Sequence, residues 1–131
     1  MMTISKHANT SSVTPITENL DGWMVIAGKP TMKTWVMHTS EDGSMMSGYW
    51  EATPGTYHAT YTEYEFVHLI EGKIVITADG QSPVTVAAGD AFVVEPNFTG
   101  TWEIVETVRK HFDIKLKSVS YTHLTLPTSV I

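Results

Sequence analysis

Residues Gly48 to Thr77 read GYWEATPGTYHATYTEYEFVHLIEGKIVIT. β-Branched and aromatic residues fall here in short runs, cut by Thr53-Pro54-Gly55, by the acidic segment Thr62 to Glu65 and by Gly72. Proline fixes φ and withholds an N–H, and glycine tolerates positive φ, so these points read as turns. SGYWEA, TYHATY, FVHLIEG and KIVITA are therefore predicted strands, the last two joined at Gly72.

The pattern continues on both sides. Upstream, KTWVMHT runs into Glu41-Asp42-Gly43. Downstream, Asp79-Gly80 suits a two-residue hairpin turn, followed by PVTV, Gly89-Asp90, AFVVEP, GTWEIVE and VRKHFDIKL. In the last run Val108, Phe112, Ile114 and Leu116 alternate with Arg109, His111, Asp113 and Lys115, which predicts a strand with one buried face. Lys110 interrupts that face. Roughly eight or nine strands without intervening helices predict an all-β, closed or double-sheet antiparallel architecture that protects its edges.

Composition sets the outer bounds. The 131 residues suit one domain, and 42% hydrophobic against 17% charged residues is enough apolar material to offset chain entropy. Only 8 Lys and Arg are scattered through a chain of net charge −6, so no nucleic-acid partner is expected. No apolar run approaches the ~20 residues that span a bilayer, and MMTISKHANTSS lacks a secretory core; no membrane association and a cytoplasmic location are expected. Without cysteine, the available chemistry rests on His, carboxylates and hydroxyls.

Residues 1–20, rich in Ser, Thr and Asn without periodicity, read as a flexible N-terminal arm, and residues 21–117 as the β domain. Val119 to Thr128 reads VSYTHLTLPT and resembles the translated read-through of a transposon-end sequencing adapter. Residues 118–131 are accordingly expected to be a non-native tail, and Tyr121 and His123 receive no function.

Four motifs carry a family resemblance: WEATPG at Trp50 to Gly55, EFVHLIEG at Glu65 to Gly72, GDAF at Gly89 to Phe92 and FTGTWE at Phe98 to Glu103. Between about Met32 and Ile114 the chain resembles the small single-domain cupins of the ureidoglycine aminohydrolase and ethanolamine-utilisation type. The resemblance implies a jelly-roll β-barrel (double-stranded β-helix), commonly a homodimer, with a pocket at its centre. It does not imply one activity, since such folds host many.

The cupin pattern also implies a metal-ligand set of two His one residue apart, a Glu and a later His. Carried over, these positions fall on His58, Thr60, Glu65 and Gly100, so two of the four ligands remain. No tightly held metal and no cofactor are expected; a weakly bound divalent transition metal at His58 and Glu65 is the alternative. The arrangement of the ureidoglycine aminohydrolases would fall on Ala59, Tyr61 and Glu65.

The candidate site is thus His58, Thr60 and Glu65 projecting into the barrel, with Trp102 as an apolar wall and either Trp50 or Glu51 facing the pocket. A carboxylate in a barrel interior must be paired or neutralised, which singles out Glu65. His58 also reads as a strand histidine with a satisfied ring. His68 has outward parity and suits packing or a dimer surface. Arg109, Lys110 and His111 can recognise an anion, though a solvated face is the commoner reading. The expected function is small-molecule binding inside the barrel. The alternative is an enzyme of aminohydrolase, lyase or isomerase type, with His58 and Glu65 as acid and base on a small polar metabolite; a third reading is a barrel filled by its own side chains.

Overall fold

The computed structural model describes residues 3–7 and 9–116. The expected tail, with Tyr121 and His123, lies outside the described residues, as does the expected domain end at Lys117. After a single 3₁₀ turn at Thr10–Ser12 come eight strands: β1 (Trp23–Gly28), β2 (Met32–Thr39), β3 (Met45–Ala52), β4 (Gly55–Thr60), β5 (Tyr64–Ala78), β6 (Val84–Ala87), β7 (Ala91–Val94) and β8 (Thr99–Lys115). All pairings are antiparallel, as the expected all-β architecture requires.

The two long strands organise the rest. β5 and β8 pair from Tyr64↔Lys115 to Ala78↔Gly100. The free edge of β8 takes β3 along Val108 to Lys115 and β4 along Thr99 to Ile104, while β5 takes β7 at Glu65 to His68 and β6 at Lys73 to Ile76. Two half-sheets result, β2-β3-β8-β5-β7 and β1-β4-β8-β5-β6, sharing β5 and β8. Register shifts between Leu69 and Ile74 bend this shared ladder and fold one half over the other. Gly72 sits in the bend at φ 90°, and a Cβ there would lie 2.3 Å from the Thr107 carbonyl oxygen, so only glycine fits.

The core lies between the halves. Trp50, Tyr57, Trp102, Ile104, Val108, Phe112 and Ile114 are all 2% exposed or less. Alternation accounts for them: β3 buries Gly48, Trp50 and Ala52, and β8 buries Gly100, Trp102, Ile104, Val108, Lys110, Phe112 and Ile114.

Four details depart from the sequence reading. FVHLIEG and KIVITA are one bent strand, as are GTWEIVE and VRKHFDIKL, because the bends lie within a continuous ladder. The acidic segment is no simple turn: Tyr64 and Glu65 open β5. The Asp79-Gly80 connection is longer than two residues, since the first β5–β6 pair is Ile76↔Val84 and the turn closes by Gln81 N–H donating to Ala78 O at 2.9 Å. β1 escaped prediction because it buries only Trp23 and shows no alternation; its pairing with β4 holds it.

The described part of residues 1–20 makes defined contacts. Ile16 and Thr34 exchange both backbone hydrogen bonds, at 2.8 and 2.9 Å, and the Tyr57 hydroxyl donates to Asn19 Oδ1 at 3.3 Å. No helix among the described residues is long and apolar enough to cross a membrane.

Candidate functional site: a lysine, glutamate and tyrosine inside the barrel

From Tyr57 to Leu69 the odd-numbered residues are buried without interruption: Tyr57, Ala59, Tyr61, Glu63, Glu65, Val67 and Leu69. The alternation passes through the non-strand residues between β4 and β5 without losing parity. Glu65 therefore points into the barrel as expected, whereas His58 and Thr60 point outward.

Glu65 is 2% exposed and fully engaged. The Tyr61 hydroxyl donates to its Oε1 at 2.6 Å, and the Lys110 ammonium donates to its Oε2 at 2.8 Å. Lys110, which interrupts the apolar face of β8, is the cation that compensates the carboxylate, and it is itself only 3% exposed. Its Nζ lies 4.6 Å from the ring centre of Trp50, 4.7 Å from that of Trp102 and 5.9 Å from that of Trp23. Three indole π-faces thus take up part of the charge that water would otherwise solvate.

Burial shifts both titratable partners of Glu65. The Lys110 amine is held below the ordinary lysine value by loss of water, and the Glu65 charge and hydrogen bond oppose that shift without cancelling it. The Tyr61 phenol is held well above its ordinary value, first by burial and then by the charge and hydrogen bond of Glu65.

This group borders a cavity of about 160 Å³. Trp23, Trp50, Phe112 and Ile114 form its apolar walls; Glu65, Lys110 and Tyr61 supply the polar side. The exposed residues Asp21, Gly22, Thr60 and Thr62 rim its mouth. Thr34 also faces the cavity, and its Oγ1 is buried without a hydrogen-bond partner. A hydroxyl left unpaired in this way costs about 1–3 kcal/mol, so the orphan marks a place where a ligand group would be welcome.

The remaining sequence candidates separate cleanly. His58 lies on the outer face, its side chain 35% exposed, with Nε2 3.5 Å from Asp79 Oδ2 and 3.3 Å from Thr99 Oγ1. Thr60 is exposed at the cavity rim. Of the Trp50 and Glu51 pair, Trp50 faces inward, its Nε1 donating to Met32 Sδ at 3.4 Å, while Glu51 pairs with Arg109 on the outer face. Trp102 is fully buried, packs against Trp23 and Phe92, and lies behind Lys110 rather than on the cavity wall.

The run Arg109-Lys110-His111 is split by the same alternation, and so is not one solvated face or one anion site. The Arg109 guanidinium lies over the rings of Tyr49 and Trp35, 4.8 and 5.6 Å from their centres. His111 stacks on Tyr49, and its Nε2 lies 2.6 Å from His7 Nδ1. Its pKa is lowered by burial, then by His7 and His68, against a raising effect of Asp113. His68 is exposed, as its parity predicts.

The family model of the EutQ-like cupin domain matches residues 39–112, more than half of the chain. The chain belongs to the EutQ-like cupin family. Solved cupin structures share the fold, which is the expected jelly roll. EutQ of Clostridium difficile is 18% identical with a TM-score of 0.61, over 67% of this chain and 70% of its own. A Pseudomonas syringae protein of unknown function from the DUF861 family is 23% identical with a TM-score of 0.66, over 79% of this chain but 44% of its own. The ethanolamine utilization protein EutQ of Salmonella typhimurium is 15% identical with a TM-score of 0.57, over 79% of this chain and 96% of its own. No curated protein matches this cupin.

The metal-ligand set implied by the cupin pattern does not fit these residues. His58 and Thr60 face away from the barrel, and a Cβ on Gly100 would lie 2.2 Å from Thr77 O. In the inward register the positions are Ala59, Tyr61 and Glu65, and beside Glu65 a lysine ammonium stands where a divalent cation would approach. Among the described residues no three His, Asp or Glu converge on a point that could hold a metal.

The sequence reading missed Thr34 and the role of Lys110, and met Tyr61 only as a position of the aminohydrolase arrangement. One signal was available: a lone lysine on the apolar face of β8 demands a buried anion, and Glu65 was already the carboxylate in need of a partner.

Proposed function

We propose that this cupin binds a small, uncharged polar molecule in the cavity of its barrel. The observation that carries the reading is the closed ion pair of Glu65 and Lys110 on the wall of a mostly apolar hollow that the unpartnered Thr34 hydroxyl also faces. The pair is already neutral, so a charged ligand would bring an uncompensated charge against mostly apolar walls. An uncharged ligand keeps the balance. The spare lone pairs of Glu65, the spare N–H groups of Lys110 and the Thr34 hydroxyl are available to its polar groups, while Trp23 and Trp50 cover its apolar part. A cavity of about 160 Å³ suits a small ligand.

Tryptophan fluorescence tests this directly, because Trp23 and Trp50 line the cavity. Propionamide and 2-propanol should shift or quench the emission saturably, whereas propionate and propylammonium should not. Ethanolammonium, suggested by the name of the Salmonella relative, belongs with the charged controls. Equal responses to charged and uncharged probes, or no saturable response to any, would count against the reading.

We also propose a homodimer formed through the outer face of β5 and β7. Support comes from Phe66 and Val93, paired neighbours that are 42% and 43% exposed, and from Ile70 at 37% on the same face of β5. Sedimentation of the full chain and of Phe66→Asp decides: a dimer converted to monomer supports this face, and an unchanged dimer removes it.

A further inference from the structure

Resting on the pocket reading above, we propose that Lys110 is a carbonyl-capturing amine, forming a reversible imine with small aldehydes or ketones that enter the cavity. The register sets the stage. Thr34, Trp50 and Lys110 stand directly opposite one another across β2, β3 and β8, so their side chains form one inward row. The indole of Trp50 thus separates an amine at one end of the row from an unpartnered hydroxyl at the other. A carbonyl compound lying over that indole presents its carbon to the amine and its oxygen to a hydroxyl donor. The cavity accepts only a small one.

Glu65 supplies the proton transfers. Its Oε2 lies 2.8 Å from Lys110 Nζ, and Tyr61 holds Oε1 at 2.6 Å, which keeps Oε2 turned towards the amine. With both partners buried, the ion pair loses most of the solvation that separates it in energy from a neutral amine and acid. The ammonium passes a proton to Oε2, and the freed nitrogen lone pair attacks the carbonyl carbon. The carbonyl π electrons move to oxygen, which takes the proton from Glu65. Glu65 then removes a second proton from nitrogen, giving a neutral carbinolamine. Finally the nitrogen lone pair expels the hydroxyl, which leaves as water with the proton from Glu65. Overall, an ammonium and a carbonyl become an iminium and water. The iminium inherits the Glu65 carboxylate as counterion and the indoles as π-faces.

The test uses the full chain with propanal and sodium cyanoborohydride, which reduces an imine to a stable propyl-lysine. Peptide mapping by mass spectrometry reads each lysine, and propionamide serves as an unreactive mimic. The expected result is alkylation of Lys110 about tenfold faster than of the exposed Lys29 and Lys33, slowed by propionamide. Lys110→Arg, which keeps a cation against Glu65, should leave no label at that position. Glu65→Gln should cut the Lys110 rate by about a hundredfold, the usual worth of a positioned acid–base group. Should that variant fail to fold, the comparison with Lys29 and Lys33 and the propionamide competition still decide. If propionamide shifts the tryptophan emission while Lys110 reacts no faster than Lys29, imine capture is refuted and the pocket reading stands. If neither probe acts, both fall. Rapid labelling that propionamide does not slow would mean that the amine reacts without cavity binding and would overturn the proposal.

Discussion

The Glu65 carboxylate and the Lys110 ammonium meet at 2.8 Å with their side chains 3% and 4% exposed, one from each of the two long strands that build the barrel. Neither charge has another charge partner among the described residues. Removing one partner leaves the other buried and uncompensated. Lys110→Met and Glu65→Gln should each cost about 3–5 kcal/mol, while the double variant should return to within about 2 kcal/mol of the parent. Urea denaturation of the four proteins closes the cycle, and simple additivity would show that the pair does not act as a unit.

Tyr61 extends the pair and ties stability to alkaline pH. Its folded pKa lies well above the ordinary 10.0, so above pH 10 the unfolded chain binds fewer protons than the folded one. The Tyr61 contribution is therefore fully present below pH 10 and declines as pH rises towards the folded value. Replacing Tyr61 with Phe should flatten the fall in urea midpoint between pH 9.5 and 11. An unchanged slope would place the phenol in water.

His58 is a surface residue whose nearest carboxylate, Asp79, is 3.5 Å away and itself exposed. Exposed pairs of this kind are worth about 0–1 kcal/mol. His58→Ala should leave both the thermal midpoint and the response to propionamide close to those of the parent. A lost response would restore the sequence-based assignment of His58 to the pocket.

Thr34 provides a test that separates folding from binding. Its Oγ1 is buried and unpaired, so Thr34→Val removes an unsatisfied group at nearly constant shape and should be neutral or stabilising by up to about 1 kcal/mol. The same change should weaken propionamide binding by about fivefold, the worth of one ordinary hydrogen bond. Paired melting and fluorescence titrations read the two effects, and unaltered affinity would show that the hydroxyl does not touch the ligand.

The bend at Gly72 is a requirement of the fold alone. At φ 90°, with Thr107 O 2.3 Å from any Cβ, Gly72→Ala must move backbone, and it should lower stability by more than about 2 kcal/mol. Chemical denaturation gives the value. A cost below about 1 kcal/mol would mean that the β5–β8 ladder shifts register freely at its corner.

Much of this protein was legible in its amino-acid order. Turn residues and period-two alternation mark an all-β chain, WEATPG, EFVHLIEG and FTGTWE mark a cupin, and an inward Glu65 follows from both. Strand alternation is local, so it survives without knowledge of partners. The site needed more. Counting a ligand pattern across the segment between β4 and β5 assigned His58 and Thr60 to the interior, while unbroken parity puts Tyr61 there. The pairing of Glu65 with Lys110 joins residues 45 positions apart, and the row of Thr34, Trp50 and Lys110 crosses three strands. Which buried charge meets which, and which hydroxyl is left without a partner, depends on register and on the bend of β5 and β8. Those are set by the closing of the whole sheet, because a hydrogen-bond ladder aligns distant segments that no local pattern relates.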